Sequence, residues 1–505
     1  MVTGTEEIER RFEGPGLSPG AFSGLTAVHR VTGPEHASLD ATYYDTSDFR
    51  LARAGITLRR RSGGTDAGWH AKLPRATEHR TELAVPLSRS PDQVPAELAD
   101  LLRARTGDRP LRPCAHIVTE RNTWRLCDAQ GAVLAEVADD SVRAQALGLT
   151  DGPIRTWHEV EVELATGGRD LLAAVTDRLA ESGITPAGPA SKLARTLGER
   201  LPGTAPDRPG RGSRAGEVIT AYLRTQVDQL RTADIAVRLD EPTGVHDLRV
   251  AVRRLRSALR AFGKVIDRDA TRPLVTELKW LSDLLGDARD AEVLRGQLTD
   301  ELRHTPADLV LGPVPAQIDR QLARGEATVT ADLKAGLADQ RYLDLLNELD
   351  VLLASPPYRP AAKRPAVDVL PTLVAKSYQR TERAVEAADR ATGSSRDAAL
   401  HEVRKAAKRL RYATEAVEPV VGRPAAKYRR RAKKVQGVLG EHHDLVTLRA
   451  ALRELAVQAQ LDNNSAFTFG LLHGRAGAAA TAWERQFPTA WRKLAAGKAR
   501  RWLRG

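Results

Sequence analysis

The sequence predicts an α+β multidomain protein, with a closed antiparallel β-barrel in its N-terminal part and an all-helical bundle in its C-terminal part. Three observations lead to this fold class. Short segments of residues 1–200 alternate polar and apolar side chains, as β-strands do. From about residue 217 the apolar spacing changes to three and four, as in helices. The helical part then repeats two of its motifs, which indicates an internal duplication.

The size and charge of the chain indicate two parts with different partners. At 505 residues the chain is long enough for more than one hydrophobic core, since single cores rarely grow beyond about 250–300 residues. Its formal net charge is +12 at pH 7. Residues 1–200 are close to neutral, so the remainder carries the excess. A basic half indicates a polyanionic partner: nucleic acid, an anionic membrane or a phosphate polymer.

The cysteines and the apolar segments indicate a cytoplasmic protein. Cys114 and Cys127 are the only cysteines, and two thiols in so long a chain make neither a disulfide framework nor a cysteine-based metal site. The segment from Met1 to Phe12 is acidic and lacks the apolar core of a signal peptide. No apolar run approaches the roughly 20 residues that span a bilayer. We therefore expect a cytoplasmic location and no membrane span.

The predicted strands of the N-terminal part are separated by Gly, Pro and Asp turns. They include residues 5–12, 55–61, 68–74, 80–86, 133–140 and 157–164. Helices are predicted at 91–105 and 168–182. Residues 201–216 are dense in Pro, Gly and Arg and have no apolar periodicity, so they are predicted to link a domain at 1–200 to a helical domain at 217–505.

Several of these strands carry a charged row on one face, because successive side chains of a strand point to opposite faces. The rows are Glu7, Glu9 and Arg11; Arg59 and Arg61; Arg80 and Glu82; Arg121 and Arg125; and Glu159, Glu161 and Glu163. One such row would suit the wet side of an open sheet, but rows of both signs over several strands predict a closed barrel with a polar interior. Carboxylates bind hard divalent cations, and guanidinium and ammonium groups bind phosphate oxygens. The barrel is therefore predicted to hold a phosphate chain with its metal.

Residues 1–200 also contain an ordered set of motifs. They are E-x-E-x-R at 7–11, YYDT at 43–46, LARAGITLRRR at 51–61, GWHAKLP at 68–74, EVEVEL at 159–164 and SKLAR at 191–195. In this order the motifs resemble the CYTH superfamily, the triphosphate tunnel metalloenzymes. The resemblance implies an eight-stranded antiparallel tunnel with flanking helices, which hydrolyses or cyclises triphosphate-bearing substrates with a divalent metal, Mg²⁺ or Mn²⁺.

The CYTH resemblance also implies roles for individual residues. The implied metal ligands are Glu7, Glu9, Glu161 and Glu163, with Glu159 on the same face. The implied phosphate contacts are Arg59, Arg61, Lys72, Arg80, Arg121 and Lys192. Glu82 and Glu136 are implied to orient water and, with Glu7, Glu9 and Arg11, form the implied catalytic set. Family members usually have Lys at the position of Arg11, and Arg keeps the charge but changes the donor geometry.

The helical part is divided by the Pro-rich segment 355–366 into two repeats, about 217–354 and 367–505. VHDLRVAVRRLRSALR at 245–260 resembles LHEVRKAAKRLRYATE at 400–415, at an offset of 155 residues. LLGDARD at 284–290 resembles VLGEHHD at 438–444, at an offset of 154 residues. Two matched pairs at nearly the same offset predict a duplicated helical bundle.

Each repeat places a basic stripe on one helix face. The stripes are His246, Arg249, Arg253, Arg256 and Arg260 in the first repeat, and His401, Arg404, Lys408 and Arg411 in the second. One such stripe would suit a solvated face, but like charges at this spacing repel, so a stripe in both repeats predicts a bound anion. A metal role for His246 and His401 is not expected, because each lies in a row of cations. His442 and His443 are expected to be polar groups at a helix end.

The two stripes occur together with further matching positions. These are Lys279, Arg289 and Asp290 in the first repeat, and Lys434, Gln436 and Asp444 in the second. The pattern resembles the CHAD domain, a conserved histidine α-helical domain, over about 217–505. The resemblance implies binding of inorganic polyphosphate and a place at polyphosphate granules. CHAD domains commonly follow CYTH domains in bacterial chains.

The sequence leaves two functional hypotheses open. The first is a metal-dependent triphosphatase that acts on inorganic tripolyphosphate, with a helical domain that binds polyphosphate. The alternative is a non-catalytic polyphosphate-binding or granule-associated protein, which Arg11 in place of Lys favours. Binding of nucleic acid rests on charge alone, because the aromatic fraction is 4% and no recognition motif is visible, so no specific nucleic acid is expected.

Overall fold

The computed structural model describes residues 3–17, 20–22, 24–76, 78–87, 93–148, 150–188, 190–201, 203 and 208–504. By their internal contacts these residues form two compact units, Met1–Thr204 and Ala205–Gly505, which are described one at a time below. Residues 202 and 204–207 of the predicted linker lie outside the described residues. Across the described ranges, no helix combines the length and the apolar character that a membrane crossing requires.

The first unit is built on nine antiparallel strands. They are β1 (Thr3–Glu13), β2 (Arg30–Asp45), β3 (Thr57–Ser62), β4 (Gly68–Ala76), β5 (His79–Pro86), β6 (Arg112–Cys127), β7 (Val133–Ala146), β8 (Arg155–Leu164) and the two-residue β9 (Thr185–Pro186). The strand order is β5-β4-β3-β2-β6-β7-β8-β1, and β1 pairs back with β5, so eight strands close into a barrel while β9 pairs with the end of β1. The predicted eight-stranded antiparallel tunnel is thereby confirmed.

In the described part of this unit, four α-helices accompany the barrel: α1 (Arg50–Arg53), α2 (Ala96–Thr106), α3 (Arg169–Glu181) and α4 (Lys192–Leu197). The helix predicted at 168–182 corresponds to α3. The helix predicted at 91–105 begins later than expected, at Ala96, because Pro95 precedes it in an extended conformation. Residues 91 and 92 lie outside the described residues.

Strand β8 shows how the outer and inner faces of the barrel differ. Val160 and Val162 are buried in an apolar core with Leu172 and Val175 of α3, so the outer face of β8 is covered by that helix. The side chains between them point the other way, because a strand alternates its faces. The apolar residues of this strand thus pack outward, and its carboxylates are left to the interior.

The interior of the barrel is apolar at one end. Ile117, Val142 and Trp157 form a buried cluster there with Leu193 and Leu197 of α4. Trp157 shares its face of β8 with Glu161, which lines the polar cavity described below. The interior therefore divides into an apolar part, into which α4 packs, and a polar part.

Asp45, in the YYDT motif, holds the turn between β2 and α1. Its carboxylate is buried and accepts the backbone N–H groups of Thr46 at 2.7 Å, Leu51 at 3.0 Å and Ala52 at 2.9 Å. Burial raises the pKa of Asp45, and these backbone hydrogen bonds oppose the rise. The motif is therefore conformational: one carboxylate satisfies three backbone donors that would otherwise lose their partners.

Replacing Asp45 by Ala is expected to lower the free energy of unfolding of the first unit by about 2–4 kcal/mol, because buried donors left without an acceptor keep their full desolvation cost. Urea unfolding measures the change in the free energy of unfolding, and hydrogen exchange of the Leu51 amide reports on the turn itself. Asp108→Ala, at an exposed site of the same unit, should shift the value by no more than about 0.5 kcal/mol. Equal effects of the two variants would contradict this role for Asp45.

The second unit is helical. Its helices are α5 (Ala215–Arg238), α6 (Gly244–Ala261), α7 (Arg272–Arg303), α8 (Val314–Ala338), α9 (Gln340–Ala354), α10 (Ala366–Arg390), α11 (Gly393–Val421), α12 (Arg423–Leu461), α13 (Phe467–Ala495) and α14 (Gly497–Arg500). Helices α5 to α8 pack each on the next, and so do α10 to α13. The predicted all-helical class is confirmed.

The repeated motifs lie on helices in equivalent positions of this order. The two basic stripes lie on α6 and α11, which pack against each other. The second motif pair lies on α7 and α12. These positions are consistent with a duplication, and the boundaries 217–354 and 367–505 stay a prediction. His442 and His443 lie well inside α12, so the expectation that they stand at a helix end is wrong.

Candidate functional site

A polar cavity of about 570 Å³ lies inside the first unit. It is lined by carboxylates from β1, β5, β7 and β8 and by basic groups from β1, β3, β4, β5, β6 and α4. These residues are Glu7, Glu9, Glu82, Glu136, Glu161 and Glu163, and Arg11, Arg59, Arg61, Lys72, Arg80, Arg121 and Lys192. The structure thus brings together around one cavity the site residues that the sequence predicted in the first unit, apart from Glu159.

Glu159 lies beside the cavity and is buried. Its carboxylate accepts a hydrogen bond from the indole N–H of Trp157 at 2.7 Å and lies 2.6 Å from the ammonium group of Lys192. Strand alternation places Glu159 on the inner face, as predicted, where its carboxylate is held by one hydrogen bond and one ion pair.

Lys72 organises one side of the cavity. Its ammonium group lies 2.7 Å from the carboxylate of Glu7, 3.5 Å from that of Glu9 and 3.9 Å from that of Glu82. Arg80 approaches the same group of carboxylates, with its Nε 2.9 Å from Glu9. We refer to Glu7, Glu9, Glu82, Lys72 and Arg80 as the Lys72 cluster.

At two carboxylates on this side of the cavity, the neighbouring cations do not offset the effect of burial. Burial, reinforced by a hydrogen bond with Glu82, raises the pKa of Glu7 to about 8, although Lys72 opposes the rise. Glu163 lies opposite Glu9 of β1 and Glu136 of β7 in the strand register. Burial raises the pKa of Glu163 too, and the charge of Glu9 adds to the rise while Lys72 opposes it. A cation bound among Glu7, Glu9 and Glu163 would stabilise the ionised forms of Glu7 and Glu163.

A second charged cluster surrounds Lys192, the first residue of α4. Its ammonium group lies 2.6 Å from Glu159, 2.8 Å from Glu161 and 2.9 Å from Asp140. Arg121 contacts Asp140 and Glu161, each at 2.6 Å. We refer to these five residues as the Lys192 cluster.

The oxygen atoms of Asp140, Glu159 and Glu161 lie within 4.8 Å of one another, so this group could hold a metal ion. However, Lys192 already contacts all three of these carboxylates, and Arg121 contacts Asp140 and Glu161. Burial alone would raise the pKa of Glu161, but Lys192 and then Arg121 outweigh burial and hold that pKa well below its usual range. The carboxylates beside Lys72 therefore fit an added cation better than those around Lys192.

The other arginines of the cavity also have partners. Arg59 lies 3.3 Å from Glu82, and Arg61 pairs with Asp66 of the turn that follows β3. Arg11 donates to the backbone carbonyl of Ala190, just before α4, at 2.7 Å. A bound phosphate chain must therefore replace carboxylate partners of the arginines that it contacts.

In the second unit the two basic stripes meet. Arg249 and Arg253 of α6 act electrostatically on Arg404 and Lys408 of α11, and each lowers the pKa of both. We refer to these four residues as the α6–α11 cluster. The structure thus assembles one site from both repeats, where the sequence indicated two separate stripes.

The α6–α11 cluster has few counter-ions among the described residues. Arg249 pairs with Asp290 at 2.9 Å, Arg404 approaches Asp444 at 3.5 Å, and Arg253 donates to the hydroxyl of Tyr412 at 3.0 Å. The Nε atom of Arg404 is buried and has no hydrogen-bond partner in the described part of the chain. Burial, followed by the charges of Arg404, Arg253 and Arg249, lowers the pKa of Lys408 to about 6. Such a group of half-buried basic side chains favours an anion between them.

The remaining predicted residues of the stripes lie outside this cluster. His401 faces His443, with their Nδ1 atoms 3.0 Å apart, and burial lowers the pKa of both imidazoles. Burial also lowers the pKa of His246, followed by the charge of Arg289. Arg411 lies over the ring of Tyr412 at 4.6 Å, and Arg256 and Arg260 are considered below.

Comparison with known proteins assigns both units. The CYTH domain model matches residues 6–197, and the CHAD domain model matches residues 221–453. The uncharacterized protein Rv2226 of Mycobacterium tuberculosis is 38% identical over 506 residues, which cover 97% of this chain and 96% of that protein. The chain is a CYTH–CHAD protein.

Two further proteins resemble single parts of this CYTH–CHAD protein. Human thiamine-triphosphatase is 33% identical over 145 residues, which cover 25% of this chain and 56% of that enzyme. The crystal structure of the CHAD domain from the plant Ricinus communis is 24% identical, with a TM-score of 0.42, and covers 60% of this chain and 98% of that one.

Sequence reasoning about the CYTH unit missed Asp140 and placed Arg125 beside Arg121 without giving it a role in the site. Asp140 stands four residues after Glu136 on β7, so strand alternation would have placed it on the inner face. Arg125 lines the cavity and forms ion pairs with Glu136 at 2.8 Å and with Glu35 at 2.6 Å. Its alignment with Arg121 was a sufficient signal.

Proposed function

We propose that the CYTH unit is a divalent-metal-dependent triphosphatase that hydrolyses inorganic tripolyphosphate, and that the CHAD unit binds inorganic polyphosphate. One observation carries the first half of the proposal. The barrel encloses a cavity in which carboxylates short of positive charge lie beside a set of arginines and lysines. Such a cavity fits a polyanion together with its metal. The likeness to human thiamine-triphosphatase supports triphosphate hydrolysis.

The lining of the cavity favours an inorganic substrate. Among the described residues that line it, Tyr43 and His36 carry the aromatic rings. Tyr43 is buried and lies near Arg59, with its hydroxyl 3.5 Å from that guanidinium, so its ring offers no open face for a base. Organic triphosphates such as ATP or thiamine triphosphate carry a ring that proteins commonly bind by stacking. A chain made of phosphates alone needs only the charged groups present.

The donor set beside Lys72 fits Mg²⁺ or Mn²⁺, both of which prefer carboxylate oxygen. Glu7, Glu9 and Glu163 would hold the ion. A bound divalent cation neutralises phosphate charge and lowers the pKa of coordinated water. Burial raises the pKa of Glu7 and of Glu163 although Lys72 opposes the rise, and this supports the choice of ligands.

The protein's own groups position the substrate. Arg59, Arg61, Arg121 and Lys192 would contact the phosphate oxygens, together with Lys72 and Arg80. Phosphoryl transfer needs little covalent participation, because positioning and charge neutralisation supply most of the rate. Glu82 and Glu136 would accept hydrogen bonds from water and orient it toward the terminal phosphorus. Arg11 would support the approach of α4 through its bond to Ala190.

A substrate panel tests the proposed specificity. Phosphate release by the full chain is measured with tripolyphosphate, ATP and thiamine triphosphate, each with Mg²⁺, with Mn²⁺ and with EDTA. We expect tripolyphosphate to give a kcat/KM at least about tenfold above the organic substrates and no release in EDTA. Preference for an organic triphosphate would contradict the inorganic assignment.

The second half of the proposal rests on the α6–α11 cluster. Lys408 has neither a salt bridge nor a hydrogen bond within the described ranges, and the buried Nε of Arg404 also lacks a partner. A phosphate chain supplies several acceptor oxygens at once, which suits several such donors close together. The unit also belongs to the half that carries the net positive charge.

Changing Arg253 and Arg404 together to Gln is expected to weaken binding of long-chain polyphosphate at least about tenfold, because two charge-assisted contacts are lost. Hydrolysis of tripolyphosphate should stay within about twofold of wild type, since neither residue belongs to the barrel. Fluorescence competition measures the binding, and phosphate release measures the hydrolysis. Parallel loss of both activities would contradict separate sites.

A non-catalytic polyphosphate-binding protein is the second candidate. The pairing of the cavity's basic groups with carboxylates favours it, because a substrate must displace those partners before it is held. Tight polyphosphate binding with no release of phosphate from any member of the panel would select this alternative.

A further inference from the structure

The basic stripe of α6 extends beyond the α6–α11 cluster, because its C-terminal residues Arg256 and Arg260 lie outside that cluster. Arg249 and Arg253 belong to that cluster, whereas Arg256 and Arg260 follow one and two turns later. An α-helix rises 1.5 Å per residue, so Arg260 stands about 10 Å beyond Arg253 along the axis. The stripe therefore extends past the α6–α11 cluster toward the end of α6 at Ala261.

Arg256 and Arg260 meet basic groups from two other segments. Arg409 of α11 acts on both, and Arg268, between α6 and α7, acts on Arg260. Burial and then Arg260 lower the pKa of Arg256, and Asp283 opposes the change. Burial and then Arg409 lower the pKa of Arg260. Asp283 itself pairs with Lys279 at 2.5 Å, so it is not a dedicated counter-ion for Arg256.

These four guanidinium groups have no ion-pair partner in the part of the chain that the structure describes. The Nε atom of Arg256 is buried and lacks any hydrogen-bond partner there. Arg254, on the other side of α6, shows the contrast: it pairs with Glu415 at 2.9 Å and bonds to Gln229. Arg254 is thus ion-paired within the unit, whereas the charges of this group have no such partner among the described residues.

We propose that Arg256, Arg260, Arg268 and Arg409 form an open phosphate-binding surface that continues the α6–α11 cluster and makes the unit select long polyphosphate chains over short ones. The inference rests on the polyphosphate binding proposed above. A short chain contacts the α6–α11 cluster alone. A long chain reaches both places, and its second contact is intramolecular, which raises the affinity without a new binding partner.

Chain-length preference tests this surface. Binding of a short-chain and a long-chain polyphosphate to the full protein is measured in EDTA, for wild type and for Arg260→Gln/Arg409→Gln. Both positions are exposed, so folding should be unaffected. We expect the variant to lose about tenfold in affinity for the long chain and none for the short chain. The slope of log Kd against log salt for the long chain should fall by about 1.5.

Two control variants make the result decisive. Arg303→Gln/Arg320→Gln removes the same formal charge at exposed positions of α7 and α8 and should leave both affinities unchanged. Arg253→Gln/Arg404→Gln should weaken the binding of both chain lengths. That result would show that short-chain binding reports on the α6–α11 cluster. An equal loss for both lengths in Arg260→Gln/Arg409→Gln, or a result like that of the first control, would overturn the proposal. Failure of wild type to bind either chain would instead refute polyphosphate binding itself.

Discussion

Replacing Glu7 and Glu9 together by Gln is expected to reduce metal-dependent phosphate release from tripolyphosphate by at least about a hundredfold. Both carboxylates surround Lys72, and Glu9 also holds Arg80 and faces Glu163 across β1 and β8. Gln keeps the shape of each side chain but removes its charge. The substitution therefore removes the negative charge that would hold the divalent ion and the charge that faces Lys72 at 2.7 Å and Arg80 at 2.9 Å.

The measurement compares initial rates at saturating Mn²⁺ and, separately, the affinity for Mn²⁺ by electron paramagnetic resonance. Glu13→Gln is the matched control, because Glu13 lies on the same strand, is exposed and pairs with Arg195 instead of Lys72. Its rate should stay within about twofold of wild type. An unchanged circular dichroism spectrum and unchanged urea unfolding of Glu7→Gln/Glu9→Gln would show that the barrel is folded. Equal hydrolysis rates for that variant and wild type would refute the catalytic assignment.

The barrel could be predicted from the sequence because strand alternation is a strict rule. In β8 three glutamates alternate with apolar residues over 159–164, and in β1 Glu7, Glu9 and Arg11 share one face, so the inner faces were evident. The structure confirms the closed eight-stranded antiparallel fold. The long strands β2 and β6 were harder to recognise: β2 contains Gly33–Pro34 and a register shift, both of which break the regular pattern.

The arrangement inside the barrel could not be predicted, because it depends on which strands become neighbours. The sequence placed Lys192 among phosphate contacts, and the structure surrounds it with Asp140, Glu159 and Glu161. Strand order decides that β6, β7 and β8 bring Arg121 and these carboxylates together. Likewise, the repeat predicted two basic helices, but only the packing of α6 on α11 merges their charges into one cluster.

The packing of α6 on α11 is expected to affect the protonation of Lys408 most. Lys408 faces groups from three helices: Arg404 and His401 on α11, Arg249 and Arg253 on α6, and His443 and Asp444 on α12. Burial and then the surrounding arginines lower the pKa of Lys408 to about 6, with Asp444 opposing them. Burial also lowers the pKa of His401, and that of His443 to about 4. Near neutral pH the free protein therefore holds Lys408 mostly without its proton.

A bound phosphate chain reverses this balance, because its negative charge stabilises the ammonium form of Lys408. Binding should then take up about one proton near pH 7.5, and the affinity should fall close to tenfold for each pH unit above about 6. Isothermal titration calorimetry in buffers of different ionisation enthalpy measures the proton uptake. Lys408→Met keeps the side-chain length without a titrating group, and titration of the polyphosphate itself cancels in the comparison. Identical proton uptake by wild type and Lys408→Met would contradict the coupling, whereas loss of uptake in the variant would assign the proton to Lys408.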